Sequence, residues 1–240
     1  MSDSSSPTRA LGRTFRRPRP EEWTFPEWLL LLAASYFVTI LGIGLVTGLG
    51  PEYAESVTPP RVVLASAFLL PACFLTSAWW LLRYRSRRPP EDVLHLGRPV
   101  VNDIVVGALT GLGLQIAMAL VFSAFDVKIE QQIGEDIQRI VGWQLGLLVV
   151  LVALVAPLAE EVFFRVLLFD ALRRRLPVVW AVVLQGAIFG LVHIQPWAAL
   201  PALAVAGVVF GTLFARGRSI WACVAAHMAF NALAVVDLLR

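Results

Sequence analysis

The chain has 240 residues, of which 58% are hydrophobic and only 15% charged. A soluble domain carries about 25% charged residues, so the composition excludes an ordinary soluble fold and points to an integral membrane protein. The net charge of +3 does not indicate a nucleic-acid partner, because the arginines gather at the ends of apolar runs, where the positive-inside rule places them.

Residues 1–27 are rich in Ser, Pro and Arg and lack an apolar core, which predicts a disordered cytoplasmic tail. A membrane span needs about 20 apolar residues. Seven segments meet or approach that length: about 28–49, 61–82, 101–125, 145–172, 178–195, 198–215 and 219–238. The expected fold class is all-α, a polytopic transmembrane bundle of about seven spans. Three N-terminal helices fill 28–125, and a helical core fills 145–238. Between them, the spacing of Ile129, Ile133, Ile137 and Ile140 predicts a short amphipathic surface helix over 126–143.

The loops alternate in charge. Arginines of the tail, Arg83 to Arg98, Arg173 to Arg175, and Arg216 with Arg218 fall on one side of a seven-span chain, and Glu52, Glu55, Asp126, Glu130, Glu135 and Asp136 on the other. The expected topology is therefore N-terminus cytoplasmic and C-terminus outside. Trp28, Trp79, Trp80, Trp180, Trp197 and Trp221 stand near span ends, as interfacial aromatics do. Glycines four apart, at 44 and 48, 107 and 111, 186 and 190, and 207 and 211, predict close helix contacts. Cys73 and Cys223 lie in apolar runs and read as buried small hydrophobes. Gln115 and Gln185 read as packing residues, Asp237 as interfacial and His95 as solvated.

Three groups of polar residues interrupt the final spans: Glu160-Glu161 with Arg165, His193 four residues after Phe189, and His227 with Asn231. A charged side chain at the bilayer centre costs roughly 2.5–3.5 kcal/mol even on lenient scales, so their joint occurrence points to a site. Counting about 1.5 Å per residue from the cytoplasmic markers Arg173, Pro177 and Arg218 puts Glu160 ~20 Å deep, His193 ~24 Å, His227 ~14 Å and Asn231 ~20 Å. They can share one layer. Glu161 and Arg165 are i,i+4 neighbours and predict an ion pair, whereas Glu160 points about 100° away, towards a cavity. Pro157 is placed to kink the span just before Glu160 and open a water path.

The chemistry these residues suit is water activation. Glu160 would act as general base on a water positioned by His193, with His227 and Asn231 donating to a tetrahedral oxyanion. The same His, His and Glu also form a catalytic zinc set, although no HExxH is present. Both uses are open at this point: no cofactor is required, and zinc is not excluded.

The three groups resemble the motifs of the CAAX protease and bacteriocin-processing family of intramembrane proteases, also called the Abi family. The family pattern EExxxR, FxxxH and HxxxN appears in order as Glu160-Glu161…Arg165, Phe189…His193 and His227…Asn231. The resemblance covers about residues 145–238. It implies an endopeptidase acting at or in the bilayer on a membrane-associated peptide or protein. In it Glu160 and His193 activate water, His227 and Asn231 stabilise the oxyanion, and Glu161 and Arg165 hold the site in shape. It also implies a glutamate-dependent mechanism, though members were first taken for zinc enzymes. The family includes proteins tied to bacteriocin immunity, so a non-catalytic peptide-binding role is the alternative. A proton-coupled transporter is a third reading, disfavoured by the lack of an internal repeat. Lys128 is the only lysine, and this arginine-rich usage points to a bacterial inner membrane.

Overall fold

The computed structural model describes residues 23–48, 59–86, 89–93, 101–126, 139–193, 199–217 and 219–238. The expected tail up to residue 22, most of the expected surface helix over 126–143, and His95 lie outside the described residues. Within them every regular element is a helix: α1 (Phe25–Thr47), α2 (Pro60–Tyr84), α3 (Val101–Ala124), α4 (Trp143–Arg173), α5 (Val178–Val192), α6 (Leu200–Ala215) and α7 (Ile220–Leu238), with one further turn at Pro90–Val93. The protein is an all-α, multi-pass membrane bundle.

Local chemistry sets the ends of these helices. At the start of α1, the Glu27 carboxylate accepts hydrogen bonds from the Thr24 N–H at 2.7 Å and the Thr24 hydroxyl at 3.0 Å, satisfying groups that a helix start leaves open. Gly48, at φ 70°, ends it in a conformation that suits glycine. It is a helix cap and not the expected close contact, with nothing within 4 Å of a built Cβ. The described chain is already packed at Trp23, four residues before the expected tail ends. Trp23 and Trp28 are both fully buried, and their indole N–H groups donate to Leu167 O at 2.9 Å and Phe163 O at 3.2 Å on α4. Trp28 is thus a core residue and not an interfacial one. Trp79, Trp80 and Trp180 remain 45–63% exposed, as the interfacial reading requires.

Five of the helices are long and apolar enough to cross a bilayer. The other two, α5 and α6, have 15 and 16 residues and reach only ~22–24 Å. The span expected over 178–195 stops at Val192 because His193 leaves the helix, with φ −77° and ψ 121°.

Aromatic stacking joins α1, α2 and α4. Phe74 lies flat on Phe163 at 4.3 Å between ring centroids, and Trp28 meets Phe163 at 5.3 Å. Helices α3 and α7 touch backbone to backbone. A Cβ built on Gly107 would fall 2.1 Å from Ala222 O, and one on Gly111 would fall 1.9 Å from Ala226 O. The α5–α6 contact is similar, with Gly207 against Gly186. These approaches are closer than any residue but glycine allows.

Candidate active site

Helix α4 carries both glutamates and is irregular on either side of them. Residues Leu151–Val155 and Val162–Leu168 wind as π-helix, flanking the α-helical turn Ala156–Glu161. In the wide turns an N–H bonds the carbonyl five residues back, as Ala156 does to Leu151 O and Phe169 to Phe164 O. Pro157 has no N–H and would crowd the carbonyl four residues earlier in a regular helix. The wide turn before it removes that conflict without breaking the span. Such π segments are common at functional sites.

Glu161 and Arg165 form the expected pair, both fully buried. Arg165 Nε donates to Glu161 Oε2 at 2.9 Å and Nη2 to Oε1 at 3.2 Å. Its third contact was not anticipated. Arg165 Nη1 donates to Gln185 Oε1 at 2.8 Å, and Gln185 Nε2 donates to Gly207 O at 3.2 Å. Gln185 therefore belongs to the site's frame, where the sequence had marked it as packing. The guanidinium also lies 4.9 Å from the Phe189 ring centroid, within cation–π range.

Glu161 holds a second group. His227 Nδ1 stands 2.9 Å from Glu161 Oε1, so the ring donates Nδ1–H to the carboxylate and turns Nε2 the other way. His193 is oriented by a different device with the same result. Its Nδ1 donates to Phe189 O at 2.5 Å, one turn back, and its Nε2 points inward. Both Nε2 atoms face Glu160 Oε2, His193 at 3.4 Å and His227 at 3.9 Å. That carboxylate oxygen is buried with no hydrogen-bond partner among the described residues. Phe189 packs against both imidazoles, at 4.6 Å from His193 and 5.7 Å from His227. Five of the seven expected residues, Glu160, Glu161, Arg165, His193 and His227, thus meet at one point, with Phe189 as their wall. Asn231 does not reach it in the same way. Its Nδ2 donates to Val152 O at 3.0 Å.

Glu160 and His193 open onto a cavity of about 310 Å³, lined also by Val152, Ala156 and Phe164 of α4 and by Tyr36, Thr39, Ser66, Leu70 and Phe74 of α1 and α2. Tyr36 donates its hydroxyl to Val192 O, directly before His193. Nothing in the sequence singled out Tyr36. Among the described residues, no group of three or more His, Cys, Asp or Glu side chains is disposed to hold a metal ion. Cys223 is buried and Cys73 half-buried, both as free thiols.

Residues 142–233 match the family described as type II CAAX prenyl endopeptidase Rce1-like. A curated relative named "Putative membrane peptidase YdiL", from Bacillus subtilis (strain 168), is 28% identical over 156 residues. That alignment spans 62% of this chain and 63% of the relative's length. No solved structure matches the chain. The matched segment holds all three motifs, and over it the chain is similar to the CAAX protease and bacteriocin-processing family.

Proposed function

We propose that this protein is an intramembrane endopeptidase that hydrolyses a peptide bond with a water activated by Glu160. One observation carries the reading. Glu160 Oε2 is buried, lacks a donor among the described residues, and faces the Nε2 atoms of His193 and His227, and Glu160 and His193 both line a cavity. With Nδ1–H committed to Phe189 O, a neutral His193 presents a lone pair at Nε2. Two acceptors 3.4 Å apart are satisfied by one water that donates a hydrogen to each.

That water is the nucleophile. As its oxygen bonds the carbonyl carbon, Glu160 takes one proton, and the carbonyl π electrons become the oxyanion of a tetrahedral intermediate. His227, held at Nδ1 by Glu161, donates from Nε2 to that oxyanion. Glu160 then passes its proton to the amide nitrogen, the C–N bond breaks, and a carboxylic acid and an amine leave. Phe189 and the Glu161–Arg165–Gln185 chain keep the imidazoles in place throughout.

The substrate is a membrane-associated peptide or protein, since the cavity lies among bilayer-spanning helices. The arginine-rich loops orient the chain with its N-terminus in the cytoplasm and its C-terminus outside, in the bacterial inner membrane. The test is cleavage of a quenched fluorescent peptide library by detergent-purified protein, wild type beside Glu160→Gln, with and without chelator. Turnover lost in the variant and retained with chelator supports the glutamate mechanism. Loss of turnover with chelator would assign the activity to a metal, and no cleavage by the wild type would favour a binding or immunity role.

A further inference from the structure

Where the wide turn meets Pro157, the Val152 carbonyl lacks its helical donor. In that register each N–H reaches five residues back, and Ala156 bonds Leu151 O accordingly. The following N–H would serve Val152 O, but the following residue is Pro157 and has none. Inside a bilayer no bulk water replaces the missing donor. The Asn231 amide stands at that position, with Nδ2 3.0 Å from Val152 O. Facing a carbonyl, the amide must present its NH2 and not its oxygen.

The location matters for the site. Val152, Ala156 and Glu160 recur every four residues and all line the cavity, so they form one face of α4. The wide turn between Val152 and Ala156 sets how far that face is rotated relative to the preceding helix. His227, one turn before Asn231 on α7, bonds Glu161 on the same stretch of α4. The two helices are therefore pinned at two heights, once through a carboxylate and once through a backbone carbonyl.

We propose that Asn231 is a positioning residue. Its amide stands in for the missing N–H of Pro157 at Val152 O and so holds the wide turn that aims Glu160 into the cavity. What Glu160 does there rests on the peptidase reading; the bond and the turn do not.

A double-mutant cycle with Pro157→Ala tests it, because an alanine at 157 restores an N–H that Val152 O can accept. Thermal unfolding is measured on the full chain in detergent for wild type, Asn231→Ala, Pro157→Ala and the double variant. Asn231→Ala is expected to lower Tm by about 5 °C in the wild-type background and by about 1 °C when residue 157 is alanine. Asn231→Asp, which offers only acceptors to the carbonyl, is expected to lower Tm at least as far as Asn231→Ala. Equal losses in both backgrounds, or none in either, would overturn the proposal. On a peptide that the wild type cleaves, Asn231→Ala is expected to lower kcat about tenfold or more with KM unchanged. If kcat falls by the same factor in both backgrounds with Tm unmoved, Asn231 instead contacts the oxyanion and the proposal fails. The unfolding arm reads the bond even if no turnover is found, which separates failure here from failure of the peptidase assignment.

Discussion

Tyr36 on α1 donates its hydroxyl to the carbonyl of Val192, the last residue of α5, across 156 positions of sequence. The next residue, His193, has left the helix, and its backbone N–H bonds only back to Gly190 O at 3.3 Å. The hydroxyl of Tyr36 therefore fixes the peptide from which the site's imidazole projects, and it does so from a helix outside the segment that matches the family.

Tyr36→Phe keeps the ring and removes that single bond. A hydrogen bond of this kind is worth about 0.5–1.5 kcal/mol. The expected result is a fall in kcat of about 3–10-fold, with Tm changed by only a few degrees. Steady-state kinetics beside thermal unfolding checks it. An unchanged kcat would show that Phe189 O alone is enough to hold the His193 ring.

What the sequence showed and what it hid follow from the range of each interaction. Seven apolar runs are visible to hydropathy, and the helices lie close to where those runs fall. The Glu161–Arg165 pair was legible because i,i+4 spacing puts both on one helical face. The C-terminal end of α5 was not. Hydropathy continues through Ile194, whereas the helix stops because the His193 ring takes the Phe189 carbonyl. Gln185 and Tyr36 were hidden for a different reason. Each makes its decisive bond to a distant element, and one amide or phenol in an apolar run looks like packing until the partner is known. Trp28 shows the same limit. At a span end it resembles an interfacial anchor, and only the position of Phe163 O reveals it as buried.

Arg165 tests the site's frame. It is fully buried and bonded to both Glu161 oxygens and to Gln185. Arg165→Leu leaves the Glu161 carboxylate buried with only His227 Nδ1 as donor. Removing one partner of a buried pair costs about 3–5 kcal/mol, so the variant is expected to unfold about 10 °C lower and to lose turnover. Arg165→Lys keeps the charge but lacks the fork that reaches three acceptors at once. Its stability is expected to fall between wild type and Arg165→Leu. If Arg165→Leu unfolds with the wild type, the pair contributes nothing to the frame.

Gln185→Leu removes the bridge between that frame and α6. It strands one Arg165 N–H, a buried group that costs about 1–3 kcal/mol when left unpaired, whereas the Gly207 carbonyl, inside α6, keeps its helical donor. The ion pair itself stays intact. A stability loss smaller than that of Arg165→Leu is expected, with a fall in kcat if Arg165 drifts from the Phe189 ring. Unfolding and kinetics on the two variants side by side separate these contributions, and a loss as large as that of Arg165→Leu would mean that the charge matters less than the amide.

The contact of α3 with α7 sets where His227 stands. Gly111 faces Ala226 O so closely that a Cβ would lie 1.9 Å away, and Ala226 immediately precedes His227. Gly111→Ala must push α7 off α3 by an ångström or more, carrying His227 with it and stretching its 2.9 Å bond to Glu161. Overpacking of this kind costs about 1–3 kcal/mol, and the expected outcome is a lower Tm together with a loss of kcat. Gly113, two residues on, supplies the control, because nothing lies within 4 Å of its built Cβ. Gly113→Ala is expected to be neutral or to stabilise α3 by about 0.5–1 kcal/mol, with kcat unchanged. Thermal unfolding and turnover measured on both variants decide the matter. Equal behaviour of the two would mean that the α3–α7 approach is loose enough to absorb a methyl group, and that His227 is positioned by Glu161 alone.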